Sequence, residues 1–219
     1  FDGADYVTFK NLSLASTSSS YGRVFDFKDG SNNINIENNV ISGVSTTSTS
    51  SNMILLYSNS GTSNNNIIID NNAFNYGSYA IYMQGYNSSN PESNNIISGN
   101  TISNYHYMGI FIYYQDTLTI SSNTIRAKET GGYSYSYGIY GYYCQNSSEF
   151  SKNDIRVNGT SSNYGLYLYN CDGNSNDKTL VSNNFISTNN SSYYSYGAYI
   201  YNCDYIDIYN NTINVTDGY

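Results

Sequence analysis

The stretch YGAYIYNCDYIDIYNNTINV, residues 196–215, holds two runs in which apolar side chains alternate with other side chains. The runs are YGAYIYNC (196–203) and IDIYNNTI (206–213). A period of two residues is typical of a β-strand, because successive side chains point to opposite faces. The stretch therefore predicts two strands in series, with Ala198 and Ile200 on an inner face and Tyr199 and Tyr201 on an outer face.

Both runs recur along the chain. The second has the form apolar-x-apolar-x-x-Asn-x-apolar, and its Asn returns after 23 to 33 residues, about 28 on average. These asparagines are Asn39, Asn72, Asn100, Asn123, Asn153, Asn184 and Asn211. Clear copies of the first run lie between them, at 79–84, 108–114, 137–144 and 164–171. A repeat of this length indicates a solenoid or a propeller.

The length of the unit favours an all-β parallel β-helix, in which each coil stacks on the previous one. A propeller blade needs about 40 residues and four strands, which these units do not supply. We expect about 7–8 coils of about 28 residues in a single segment, residues 1–219. Since the chain starts without Met, we interpret it as an excerpt of a longer protein.

The paired pattern G-I-x-L/I-x-x-C/S and I-x-x-N-x-I resembles the right-handed parallel β-helix superfamily over almost the whole chain. The opening FDGADYVTFKNLSL (1–14) also resembles segments of large secreted bacterial surface proteins and adhesins. This resemblance implies a right-handed coil and a secreted or cell-surface location. It leaves function open, because lyases, adhesins and tailspikes share the fold.

Charge and hydropathy exclude several partners. The net charge is −8 and only 11% of the residues are charged, so the clustered Lys and Arg that bind nucleic acid are lacking. The chain has no run of 18 apolar residues, so we expect no membrane insertion.

Equivalent positions of successive coils lie above one another in a β-helix. The repeated asparagines are therefore expected to form an internal amide ladder, each donating to and accepting from its neighbours. Asn also tolerates left-handed backbone, which suits a tight turn at this position.

Cys144, Cys171 and Cys203 each follow the glycine of the first run by six residues and should stack as buried thiols. A zinc site needs about four ligands around a point, and three thiols in a column do not supply them.

An acidic column follows the cysteines. Its stacked carboxylates would repel unless a cation such as Ca²⁺ lay between coils, with Asp172 and Asp204 as the weak candidates. Because Asp is also a common turn residue, we expect no cofactor.

The outward positions of the first run are aromatic. They predict two columns of side chains on one face: Tyr82, Phe111, Tyr140, Tyr167 and Tyr199, and beside them Gln84, Tyr113, Tyr142, Tyr169 and Tyr201. Such a face could bind a glycan or another surface protein, or be covered by the rest of the parent polypeptide. Stacked rings could also serve only to reinforce the solenoid.

A catalytic role finds little support in the sequence. His106 is the single histidine and has no obvious partner, and Arg126 and Arg156 should stack without a carboxylate cluster beside them. We therefore predict a non-catalytic, extracellular β-helix for adhesion or presentation, with the Tyr-rich face as its binding surface. The alternatives are the substrate-binding core of a polysaccharide lyase or hydrolase, and a purely structural stalk.

Overall fold

A computed structural model describes residues 1–59, 61–129, 135–159, 162–189 and 194–216. In these ranges the chain forms parallel β-strands and one 3-10 turn, Ser51–Met53. The strands, numbered in chain order, build three sheets. The first sheet contains β1 (Thr8–Lys10), β4 (Ile34–Glu37), β7 (Ile67–Asp70), β11 (Ile96–Ser98), β14 (Thr119–Ser121), β17 (Glu149–Ser151), β20 (Thr179–Ser182) and β23 (Ile206–Tyr209).

The other two sheets are also built of parallel strands from successive coils. The second sheet contains β2 (Ser13–Ala15), β5 (Val40–Ser42), β8 (Ala73–Asn75), β12 (Thr101–Tyr105), β15 (Thr124–Ala127), β18 (Asp154–Val157), β21 (Phe185–Asn189) and β24 (Thr212–Thr216). The third sheet contains β3 (Phe25–Phe27), β6 (Ile54–Asn59), β9 (Tyr79–Gln84), β13 (Met108–Asp116), β16 (Tyr135–Gln145), β19 (Ser162–Tyr169) and β22 (Ser195–Tyr201), with β10 (Glu92–Ser93) paired to β13.

In the described ranges each of the first seven coils carries one strand from each sheet, with β10 as a short addition, and the last coil contains β23 and β24. The predicted single strand IDIYNNTI is in fact two strands, β23 and β24, and the same division occurs in every copy of that run. The break lies at the Asn, where the backbone turns from the first sheet to the second. The parallel β-helix and its repeat of about 28 residues are confirmed, with three strands in each coil instead of the two assigned from the sequence.

The core is a set of stacked aliphatic columns. Ile69, Ile97 and Ile120 occupy one register position of the first sheet and are fully buried. Ile102, Ile125 and Ile155 do the same in the second sheet. Each such side chain contributes roughly 1.5–3 kcal/mol by burial, so the repeated inner positions supply most of the driving force for folding.

The amide ladder is confirmed. The side-chain Nδ2 of each ladder asparagine donates to the Oδ1 of the next, at 2.9–3.1 Å, from Asn39 to Asn211. The same Oδ1 also accepts the backbone N–H of the preceding ladder residue, as Asn153 does from Asn123 at 3.0 Å. The expectation that these asparagines adopt left-handed backbone is wrong. The positive φ falls on the residue before each one: Asn38, Asn71, Gly99, Ser122, Lys152, Asn183 and Asn210.

The cysteines also stack, at the corner that follows the third sheet. The backbone N–H of Cys171 donates to the Sγ of Cys203 at 3.2 Å, and all three thiols are free. Cys144 and Cys171 are fully buried, and burial raises the pKa of the Cys171 thiol well above its usual range. In the earlier coils the column continues as Gln115 and Glu92. The thiols therefore fill a corner that is polar in the first half of the solenoid.

Candidate functional site

The third sheet carries the predicted aromatic columns. Its register places Tyr82, Phe111, Tyr140, Tyr167 and Tyr199 in one row across successive strands. A second row contains Gln84, Tyr113, Tyr142, Tyr169 and Tyr201. Their inner neighbours, such as Ile110, Ile112 and Leu166, are buried in the core. The strand alternation therefore turns both rows outward.

The rings of these rows pack on one another. Tyr113 stacks on Tyr142 with ring centroids 4.7 Å apart, and Tyr142 stacks on Tyr169 at 4.8 Å. In the other row, Tyr167 stacks on Tyr199 at 5.0 Å. This packing leaves most of the rings half-buried, and only Tyr201, in the last coil, is as much as 54% exposed. The result is a continuous aromatic surface, which we call the aromatic face.

The aromatic face is wider than the sequence indicated. A third row lies beside the first two and contains Tyr79, Tyr107, Tyr137, Tyr164 and Tyr196, whose consecutive rings are 4.8–6.0 Å apart. The Tyr that precedes Gly in each YG pair is the sequence signal for three of its members. At the opposite edge Tyr114 stacks on Tyr113 with centroids 3.8 Å apart, and Tyr143 follows it at 5.5 Å.

Several phenols of the aromatic face have raised pKa values and are uncharged at neutral pH. Burial raises the pKa of Tyr82 and of Tyr164 to about 12, and neighbouring phenols add to the rise. Burial also raises the pKa values of Tyr137 and Tyr140. The hydroxyls therefore act as hydrogen-bond donors and acceptors. Tyr82 donates to Oε1 of Gln84 at 2.7 Å.

A polar pocket of about 340 Å³ lies at the N-terminal end of this face and is lined by Tyr21, Arg23, Asp26 and Asn52. The register aligns Asp26 with Tyr57 and Tyr57 with Tyr82, so the pocket continues the first aromatic row. Its residues come from two consecutive coils. None of the four was identified as a site residue from the sequence: Tyr21, Arg23 and Asp26 lie in a weaker copy of the first run (21–27) and Asn52 in another (51–58), and neither copy was assigned to the aromatic columns.

Of the two acidic candidates, the carboxylate of Asp172 accepts a hydrogen bond from the next coil, and that of Asp116, in the same acidic column, does so too. Oδ1 of Asp172 accepts the backbone N–H of Asp204 at 2.8 Å, and Asp116 accepts from the amide of Asn146 at 2.7 Å. Within the described ranges no three His, Cys, Asp or Glu side chains are grouped to hold a metal ion. A calcium ion between Asp172 and Asp204 stays an untested prediction.

The two stacked arginines have a carboxylate partner that the sequence analysis did not identify. Arg126 and Arg156 align on adjacent strands, and Asp154 forms an ion pair with each of them. The arginines thus neutralise a local acid on the second sheet, on a different side from the aromatic face.

His106 is buried, and desolvation lowers its pKa.

No helix in the described part of the chain has the length and apolar character that a membrane span requires.

Comparison with known proteins supports the architecture. A solved structure of the surface protein and adhesin PfbA of Streptococcus pneumoniae superposes on the chain with a TM-score of 0.50 and 15% sequence identity. The match covers 97% of this chain and 67% of the adhesin. At this level of identity the likeness shows a shared fold. No curated protein sequence matches the chain.

The family model described as the right handed beta helix region matches residues 24–213, which include the six ladder steps from Asn39 to Asn211. The matched region contains all three rows of the aromatic face. The chain belongs to the right-handed β-helix family.

Proposed function

We propose that this chain is a non-catalytic, extracellular segment of a bacterial surface or secreted protein, and that its aromatic face binds glycans. The observation that carries the proposal is the aromatic face itself, three rows wide on one sheet. The other two sheets place Thr, Ser, Asn and charged residues at most of their outward positions. Aromatic residues are thus concentrated where one broad surface can be presented.

The chemistry of this surface suits a sugar chain. Tyr rings present apolar area to the C–H faces of sugar rings, and their neutral hydroxyls form hydrogen bonds with sugar hydroxyls. A phenol ordinarily titrates at about pH 10, and burial raises the pKa values of Tyr82, Tyr140 and Tyr164 further, so these hydroxyls are uncharged at neutral pH. The shared fold with a solved surface adhesin supports a surface location.

Binding to a glycan array tests the proposal. The 219-residue chain should bind a set of glycans, and the variant Tyr140→Ala/Tyr167→Ala/Tyr199→Ala should lose that binding while keeping its fold. A matched control replaces three exposed aromatic side chains of the other two sheets and their margins, Tyr6, Phe185 and Tyr209, by Ala. The control should bind like the wild-type chain.

Two outcomes would overturn the proposal. Absence of glycan binding by the wild-type chain would leave the stacked rings with a structural role, as in a stalk. Equal binding by the wild-type chain and the triple aromatic variant would place the site elsewhere. Circular dichroism and thermal melting of each variant show whether loss of binding results from loss of fold.

A further inference from the structure

The pocket at the N-terminal end of the aromatic face contains a charge pair held in place from three sides. The guanidinium of Arg23 lies over the ring of Tyr57, 3.7 Å from its centroid. Its Nη1 donates to Oδ2 of Asp26 at 3.2 Å, and its Nη2 lies 3.5 Å from the carbonyl oxygen of Ser51. Cation–π contact and an ion pair together fix the orientation of the guanidinium before any ligand binds.

The same pocket has hydrogen-bonding capacity that the described residues do not use. Within those residues, Oδ1 of Asp26, the side-chain amide of Asn52 and the hydroxyl of Tyr21 form no hydrogen bond. Both members of the ion pair keep about a third of their side-chain surface exposed, 30% for Arg23 and 35% for Asp26. Donors and acceptors of four side chains thus converge on one space of about 340 Å³.

The chemistry of the pocket selects an uncharged, polyhydroxylated ligand. A carboxylate oxygen accepts hydrogen bonds from hydroxyls, and the guanidinium and the Asn52 amide donate to them. Since Arg23 and Asp26 cancel in charge, neither an anionic nor a cationic ligand gains from the pocket as a whole. The ring of Tyr21, which is 71% exposed, offers apolar area to the C–H face of a sugar.

We propose that this pocket binds a terminal, uncharged sugar ring of a glycan whose remaining rings lie along the aromatic face. The volume lies near the lower end of the range for small-molecule sites, roughly 300–1,000 Å³, which suits one or two sugar rings. The proposal rests on the proposed function and adds a specificity site to it. The Tyr57–Tyr82–Phe111 row connects the pocket to the rest of the face.

Isothermal titration of the 219-residue chain with uncharged methyl hexosides and their oligosaccharides tests this assignment, with glucuronate and sialic acid as charged probes. Asn52→Ala removes only a side-chain amide and leaves the Arg23–Asp26 pair in place. Asp26→Asn removes the carboxylate. The matched control is Asp207→Asn, an ion-paired surface Asp on the first sheet, 2.9 Å from Lys178.

Both pocket variants should raise the Kd for the uncharged glycan at least tenfold, and Asp207→Asn should not change it. If the pocket variants bind as the wild type does while the triple aromatic variant loses binding, the pocket assignment fails and the proposed function stands. If only the pocket variants lose binding, the pocket assignment is supported and the assignment of the aromatic face as a binding surface fails. Tighter binding of the charged probes overturns the assignment of an uncharged sugar, and absence of all glycan binding overturns both proposals.

Discussion

Glu92 is a carboxylate fully buried inside the solenoid, surrounded by neutral partners. Its Oε1 accepts from the hydroxyl of Ser58 at 2.7 Å, and its Oε2 accepts from the amide of Gln115 at 2.7 Å. The amides of Asn64 and Asn95 complete the surroundings. These donors favour the ionised form, but desolvation is the larger effect and raises the pKa of Glu92 to about 7. The proton is thus held more tightly in the folded state than in the unfolded chain.

This shift predicts a pH-dependent stability. Because the folded state binds the extra proton between pH 4.5 and about 7, the free energy of unfolding should fall as the pH rises through that window. The loss is roughly 3 kcal/mol, at 1.36 kcal/mol for each pKa unit. Urea titrations at pH 5 and pH 8 measure it. The Glu92→Gln variant should show a much flatter profile, and a profile as steep as that of the wild type would contradict the assignment to Glu92.

Gly165 is required by close approach between coils. A Cβ built on it would lie 2.2 Å from Cγ2 of Ile186 and 2.5 Å from the carbonyl oxygen of Gly197. Gly138 is crowded in the same way, and a Cβ on Gly197 would lie 2.1 Å from Cγ2 of Ile213, which explains the recurrent YG pair of the sequence. The residue before each of these glycines, by contrast, is free to carry an aromatic ring of the third row.

Substitution of Gly165 by Ala should therefore lower the free energy of unfolding by about 1–3 kcal/mol through overpacking. Gly61 provides the control, since a Cβ at that position meets no atom within 4 Å. Chemical denaturation of the two variants gives the comparison. Equal stability of Gly165→Ala and Gly61→Ala would contradict the prediction, because it would mean that neighbouring coils can move apart at no cost in the free energy of unfolding.

At the scale of the element, the Asn ladder joins successive turns into one structure. Asn153 accepts the backbone and side-chain N–H groups of Asn123, each at 3.0 Å, and donates to the carbonyl of Ile120 and to Asn184. All three asparagines are buried. Removal of one member therefore leaves donors and acceptors without water to replace their partner.

The variant Asn153→Ala should cost about 2–4 kcal/mol of stability, since a buried unsatisfied polar group costs about 1–3 kcal/mol. Asn39→Ala should cost less, because the backbone N–H that Asn39 accepts belongs to Leu12, which is 40% exposed and accessible to water. Thermal and urea unfolding of both variants test the difference. A cost at Asn39 equal to that at Asn153 would contradict the role of burial.

The elements show where sequence reasoning succeeds and where it stops. The ladder and the aromatic rows were predictable because Asn in the one, and aromatic side chains in the other, return at a regular position of the repeat. The division of each Asn-containing run into two strands was missed, since the turn residue varies and is Asn71 in one coil and Lys152 in another. The third aromatic row was missed partly because Met108, not Tyr107, takes the register position of Tyr137.

At the scale of the whole molecule, three sheets of similar construction present different surfaces. The polar pocket depends on the stacking of whole coils, because Arg23 reaches Ser51 and Tyr57 only when consecutive coils stack in register. The loops between coils vary in length, so the sequence alone does not indicate which residues meet across them. The repeat therefore predicts the stacked columns but not the pocket, whose residues lie in the two weaker copies of the first run, 21–27 and 51–58.

The most direct test of the account is the affinity of an array-selected glycan for the wild-type chain and for the Tyr140→Ala/Tyr167→Ala/Tyr199→Ala variant, by isothermal titration. The aromatic face accounts for binding if the triple variant, still folded, binds at least tenfold more weakly while the Tyr6/Phe185/Tyr209 control binds normally. Equal affinities for the wild-type chain and the triple variant would contradict the central claim.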